Sequence, residues 1–319
     1  MAGVELRPLS LGQVLDRTFT LYRGNFWLFV GIMAIPSCLS IPFSFVSSTQ
    51  RTSPFSVGRP VGPTPTATFF LVFFLLILVA AAVYAVALGA ATFAVSDVSL
   101  GKPMTVSAAY GKVRGHFWSL IGLLLNIYLR MIGIFIVVGL AAFLVIGGLG
   151  AGARLAGGSM AVILVGFAAF LGFVGALVLG VWFALRYSVA FPALLLEDAR
   201  VGEAIQRSVD LTEGSRGRIF VATLLSVVVA YVGFVIFQGP FFIATMVLAA
   251  KGQTPGWILP AMSISGAIGN AITSPILMIV LVLCYYDLRI RKEGFDLQYK
   301  MASLGHTPPP ASTPPLGVG

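Results

Sequence analysis

The sequence is poor in charge. Only 10% of its 319 residues are Asp, Glu, Lys or Arg, against about 25% in an ordinary soluble domain. Histidine and cysteine are scarcer still, with two of each. His116 and His306 are too few for a histidine-rich metal centre, and neither Cys38 nor Cys284 has ligand spacing. Both cysteines lie in apolar runs and read as small buried hydrophobes. No G-x-S-x-G is present, and no histidine is placed as a base for a nucleophile. His116 stands before an aromatic pair and reads as a headgroup contact or a solvated turn. The expected catalytic, metal and cofactor sets are therefore all empty. The first twenty-five residues also lack a short apolar core, carrying Glu5, Arg7, Asp16, Arg17 and Arg23 instead. Insertion is expected from the first membrane helix and not from a cleaved signal.

In place of charge there is hydrocarbon. The chain is 58% hydrophobic with a mean hydropathy of +0.98. Its apolar residues come in runs of roughly twenty or more, which defines a polytopic all-α membrane protein. The long uninterrupted runs exclude a barrel, whose strands are short and alternate. Six spans are expected, near 26–46, 68–95, 117–148, 160–185, 219–249 and 258–287. Pro36, Pro42, Pro240 and Pro275 are candidate kink points.

The net charge of +9 reads as the positive-inside bias and attraction to anionic lipid headgroups, with no nucleic acid as partner. Fifteen of the twenty Lys and Arg fall at the N-terminus, in the second and fourth connections and at the C-terminal side. Four fall in the opposite connections, and Arg130 lies within a span. All eleven acidic residues share the majority side. Both termini are therefore expected in the cytoplasm. The opposite face looks inert, with a Ser/Thr/Pro/Gly-rich loop at 49–67 and a glycine-rich turn, "GGLGAGARLAGG". That turn is no phosphate-binding fingerprint, because it joins two membrane spans. Residues 299–319 form a proline-rich tail expected to be disordered.

A unit recurs. "LGQVLDRTFTLYRGNFW" aligns without a gap on "VGEAIQRSVDLTEGSRG" at an offset of 190, matching Gly12 with Gly202, Arg17 with Arg207 and Leu21 with Leu211. "VSAAYGKVRGHFW" aligns on the first copy after a four-residue deletion, about one helical turn, and matches Lys112 with Arg17. Each copy has the apolar spacing of an amphipathic helix. In the first, Leu11, Val14, Leu15, Phe19 and Tyr22 share one face, and Ser10 with Gln13 makes a capping box. The expected architecture is three transmembrane hairpins, each preceded by a cytoplasmic amphipathic interfacial helix. The repeats run over about 9–95, 104–190 and 199–289, within a membrane domain of residues 1–298. Interfacial helices of this kind lay Arg and Lys against phosphates or neighbouring carboxylates, with tryptophan at the boundary. Arg17, Arg23, Trp27, Lys112, Arg114, Trp118 and Arg207 are the candidate headgroup contacts, joined by Tyr285, Tyr286 and Arg289 at the last exit. Gripping a soluble partner is the alternative use of these helices.

Three stretches, "LRPLSLGQVLDRTFTLYRGNFWLFVGI", "FPALLLEDARVGEAIQRSVDLTEGSRGRIF" and "CYYDLRIRKEGFD", together resemble the glycerophosphoryl diester phosphodiesterase membrane-domain family and its bacterial integral-membrane relatives. The likeness covers about residues 5–298 and implies a bacterial inner-membrane location. In that family the membrane region can be fused to a soluble phosphodiesterase domain. This sequence has no room for that domain and lacks its His-Arg opening, so the enzymatic activity is not carried over.

Two further constellations stand out. Arg130 lies about 20 Å into the third span if that span begins at Phe117. Intramembrane charge is costly and usually functional. With Asn126, Gln238 and Asn270 it defines a candidate intramembrane polar site. The alternative places 117–129 at the interface and starts the span at Met131. Glu197 and Asp198 are expected to pair with Arg186 and Arg200. The favoured function is non-enzymatic: membrane organisation, lipid association, or scaffolding of a protein partner on the cytoplasmic face. The other reading is a small-molecule or lipid transporter working near Arg130.

Overall fold

Ser10 and Gln13 open the first helix as a reciprocal cap. The Gln13 N–H donates to Ser10 Oγ at 3.2 Å, and the Ser10 N–H donates to Gln13 Oε1 at 2.9 Å. The computed structural model of the chain describes residues 9–39, 41–42, 67–156, 159–252 and 255–293. Ten α-helices carry names here: α1 (Leu11–Gly24), α2 (Phe26–Cys38), α3 (Ala67–Ser99), α4 (Val106–Val113), α5 (Phe117–Ala156), α6 (Ser159–Arg186), α7 (Ala190–Leu196), α8 (Val201–Thr212), α9 (Arg216–Ala250) and α10 (Ile258–Glu293). A 3-10 turn, Arg114–His116, joins α4 to α5. No strand occurs among the described residues.

Five of these helices, α3, α5, α6, α9 and α10, are long and apolar enough to cross a membrane. The segment expected as the first span is α2 as far as Cys38, with only thirteen residues. That is about 20 Å, short of the roughly 30 Å of hydrocarbon. Residues 40 and 43–66 lie outside the described set, as does the tail at 299–319. The chain is a multi-pass integral membrane protein.

The core sits at one end of the bundle. The second half of α10 is its axis, with Ile279, Val280, Val282, Leu283, Tyr285 and Leu288 buried. Around it pack α1, α2, α3, α7, α8 and α9. At this end α1 buries Val14, Thr18 and Tyr22, α4 buries Ala109 and Val113, and α8 buries Ala204, Ile205, Ser208 and Val209. The first helix thus turns Thr18 inward, and Leu11, Leu15 and Phe19 are only half-buried. The α5–α6 hairpin behaves differently. Beyond Arg130 its apolar side chains, Ile136, Val137, Phe143, Phe167 and Phe173 among them, stand exposed, as lipid-facing residues do.

Helix α5 has forty residues, about 60 Å at 1.5 Å per residue, roughly twice the hydrocarbon thickness. Its opening turns bury Leu120 and Leu123 in the same end of the bundle as α8, and Gly122 sits against Val201. Cys284 is buried as expected, but Cys38 is exposed near the end of α2.

Pro36 leaves a gap that a neighbour fills. Pro36 lies inside α2 and has no N–H for the Ile32 carbonyl four residues back. The Tyr110 hydroxyl of α4 donates to that carbonyl at 2.8 Å. Tyr22 of α1 donates to the Ile272 carbonyl of α10 at 2.6 Å, whereas the carbonyl that Pro275 leaves without its N–H is that of Ala271. Burial pushes the Tyr22 phenol up to about 12.

Candidate functional site: the charged end of the bundle

Each long helix that returns to this end is followed or closed by a carboxylate; Asp97 and Glu197 each find a basic residue of the following unit, and Asp287 takes its partners from α9 and from its own helix. Asp97, near the end of α3, pairs with Lys112 of α4 at 2.5 Å. Glu197, just past α7, pairs with Arg207 of α8 at 3.0 Å. Asp287 of α10 has a side chain only 1% exposed and receives Arg218 at 3.0 Å and Arg291 at 3.0 Å. It also accepts the Leu9 N–H at 2.8 Å, which ties the start of α1 to the end of α10. Arg218 and Arg291 both donate to the Leu9 carbonyl, so the peptide groups flanking the start of α1 are held by α9 and α10.

A second cluster adjoins the first. Arg207 also reaches Glu293 at 2.5 Å, and Arg289 lies between Glu197 and Glu293 at 3.5 and 3.3 Å. The Tyr285 hydroxyl donates to Glu197 at 2.6 Å. Burial works against the Arg207 charge, but hydrogen bonds and attraction from Glu197 and Glu293 outweigh it and raise its pKa. Lys292 donates to the Asp210 and Glu213 carbonyls, pinning the end of α8 to α10. These contacts fix the relative positions of three segments that are distant in sequence.

The expected headgroup residues divide into two sets. Tyr285 is fully buried and held by Glu197, so its ring does not face headgroups. Lys112, Arg207 and Arg289 are engaged by carboxylates of the chain itself, and the Tyr286 hydroxyl bonds Ser96 at 2.8 Å. Arg23, Trp27, Arg114 and Trp118 are exposed, the two tryptophans at 82% and 79%. Arg17 is half-buried, and that burial lowers its pKa. The Glu197–Asp198 pair does not take Arg186 and Arg200 as partners. Glu197 goes to Arg207, and Asp198 meets His116 at 2.7 Å.

The four residues expected to form an intramembrane site lie in two places. Gln238 and Asn270 line one cavity of about 360 Å³, together with Tyr84, Ser263 and Thr273. It lies towards the far end of α9 and α10 from the charged cluster. There Gln238 donates to the Met262 carbonyl at 3.0 Å, while its Oε1 is buried with no partner. Arg130 is on α5, exposed, 5.9 Å from the Tyr187 ring and 3.4 Å from its hydroxyl. Asn126, one turn earlier on α5, is not among the residues lining that cavity.

Sequence reasoning passed over Asp97 and Asp287 as fixed points. A signal existed for the first: Asp97 is the only acidic residue between Asp16 and Glu197. Among the described residues no group of three or more His, Cys, Asp and Glu is placed to hold a metal ion.

A bundle of long apolar helices with its charges gathered and paired at one end defines an integral membrane protein. Residues 159–294, from α6 through α10, match the family described as the membrane domain of glycerophosphoryl diester phosphodiesterase. That likeness is to the membrane part of the family. No curated protein and no solved structure matched the chain.

Proposed function

We propose that the protein is a non-enzymatic, six-span protein of the bacterial inner membrane, with both termini in the cytoplasm. Its charged end works as a lipid-associating platform on which a partner can be organised. One observation carries this reading. Two units present the same exposed step, an arginine followed four residues later by a tryptophan: Arg23 with Trp27, and Arg114 with Trp118. Among the described residues none of these arginines has a carboxylate partner, whereas Lys112, Arg207, Arg218, Arg289 and Arg291 do. An unpaired cation beside an exposed indole suits the headgroup layer, where each basic residue near an anionic surface contributes about 1 kcal/mol. In this reading α1, α4 and α8 are the interfacial helices of a threefold repeat, and α2 with its continuation forms the first span.

The test is the lipid retained by the purified protein. Anionic lipid is expected to be enriched over its share of the membrane, and Arg23→Glu with Arg114→Glu is expected to cut that enrichment several-fold. Equal lipid composition in wild type and variant rejects the platform. The cavity holding Gln238 and Asn270 favours a second reading, transport of a small molecule or lipid. Loss of the cellular phenotype in Gln238→Leu and Asn270→Leu, with the Arg23/Arg114 variant intact, would select it.

A further inference from the structure

Four arginines at the charged end, Arg207, Arg218, Arg289 and Arg291, are paired with carboxylates, but two others are gathered on one indole with no carboxylate in ion-pair distance. Arg186 ends α6 and Arg216 opens α9. Their guanidinium carbons lie 5.3 and 5.1 Å from the centre of the Trp182 ring. Both Nε atoms are buried without a hydrogen-bond partner. Among the described residues neither arginine pairs with a carboxylate. Two like charges sharing one ring repel, and a buried charged donor without an acceptor costs more than a neutral one. The π face recovers only part of that. The backbone adds to the demand. Ser215 precedes α9 without a side-chain cap, so the first N–H groups of that helix have no side-chain acceptor.

We infer that Arg186, Arg216 and the start of α9 form a binding site for a phosphate group, filled in the membrane by the phosphodiester of an anionic lipid. Two guanidinium forks and a helix N-terminus are the donors that phosphate oxygens accept from, and arginine is suited to this geometry. The position fits a lipid source. Arg186 ends a membrane-spanning helix and Arg216 begins another, so a phosphate between them stands at the hydrocarbon boundary. Trp182, one turn inside α6, offers the glycerol backbone and upper acyl chain an apolar wall. A free phosphate would satisfy the same donors.

This site rests on the lipid-association reading, and the experiment separates the two. Full-length protein in detergent is titrated with phosphatidylglycerol, phosphatidylcholine or inorganic phosphate, and bound species are counted by native mass spectrometry. Wild type is expected to take one phosphatidylglycerol at least tenfold more tightly than phosphatidylcholine. Arg186→Gln with Arg216→Gln is expected to remove that preference. Lys102→Gln with Lys251→Gln, the same change in net charge elsewhere, is expected to keep it. An unchanged thermal midpoint in each variant shows that the bundle is intact. If wild type prefers phosphatidylglycerol and the arginine variant keeps the preference, the site is overturned while lipid association stands. If wild type shows no preference, the platform reading falls as well. Phosphate that binds wild type and not the arginine variant, with no lipid preference, retains the phosphate chemistry and overturns the lipid source.

Discussion

The Tyr110 hydroxyl fills a carbonyl that Pro36 would otherwise leave without a partner. The consequence can be measured at single residues. Leaving a buried acceptor unsatisfied costs about 1–3 kcal/mol, so Tyr110→Phe is expected to destabilise the protein by about that amount. In a Pro36→Ala background the new N–H of residue 36 can take the Ile32 carbonyl, and Tyr110→Phe should then cost less than half as much. Equal costs in the two backgrounds, read from thermal unfolding in detergent, would show that the hydroxyl is not compensating for proline. The same accounting explains what the sequence could and could not disclose at this scale. Ser10 and Gln13 are three residues apart, so their cap is written in local spacing. Asp287 and Leu9 are 278 positions apart, and nothing in either neighbourhood names the other. Partners within one turn are legible; partners brought together by packing are not.

At the scale of elements, α9 and α10 approach closely because glycine lets them. A Cβ built on Gly233 would lie 2.3 Å from Cγ2 of Thr273, and one on Gly269 would lie 3.1 Å from Cβ of Phe237. Small residues at a helix crossing replace the hydrophobic drive that lipid cannot supply. Threonine is stiff at χ1 in a helix, so Gly233→Ala is expected to push the pair apart and cost about 1–3 kcal/mol. Thr273→Ser removes the clashing methyl and keeps the hydroxyl that bonds the Gly269 carbonyl at 2.9 Å. The double variant should recover most of the loss in thermal midpoint; no recovery would mean that the helices part for another reason. The Thr105 cap of α4 comes from the structure; the long apolar helices were legible as runs of hydrocarbon, and the cap of α1 as Ser10 with Gln13. The 3-10 turn at Arg114–His116 and the short α7 were not, because both are set by docking against the charged end. The sequence leaves two readings of Arg130 open, deep in the third span or just past an interfacial stretch at 117–129. Counting from Phe117 puts it deep in the third span, yet the first turns of α5 pack with α8. That leaves Arg130 level with Tyr187 at the end of α6.

For the whole molecule, charge asymmetry and the observed pairing point the same way. The carboxylates of α3, α7 and α10 meet their basic partners at one end, while Lys251, between α9 and α10, belongs to the other. Basic residues in short connections resist translocation and so set orientation. The charged end is therefore expected on the cytoplasmic side. Single cysteines placed at Lys102, Glu213 and Lys251 in a chain lacking Cys38 and Cys284 would report this. A membrane-impermeant thiol reagent on intact cells should label Lys251→Cys and leave Lys102→Cys and Glu213→Cys unlabelled until the membrane is opened. The reverse pattern would invert the molecule and place the Arg23–Trp27 and Arg114–Trp118 steps at the outer leaflet. Labelling of Lys102→Cys and Lys251→Cys alike would break the pairing of hairpins itself. In that case the link between Asp287 and Leu9, which closes the last unit onto the first, could not join two segments on one side of the membrane.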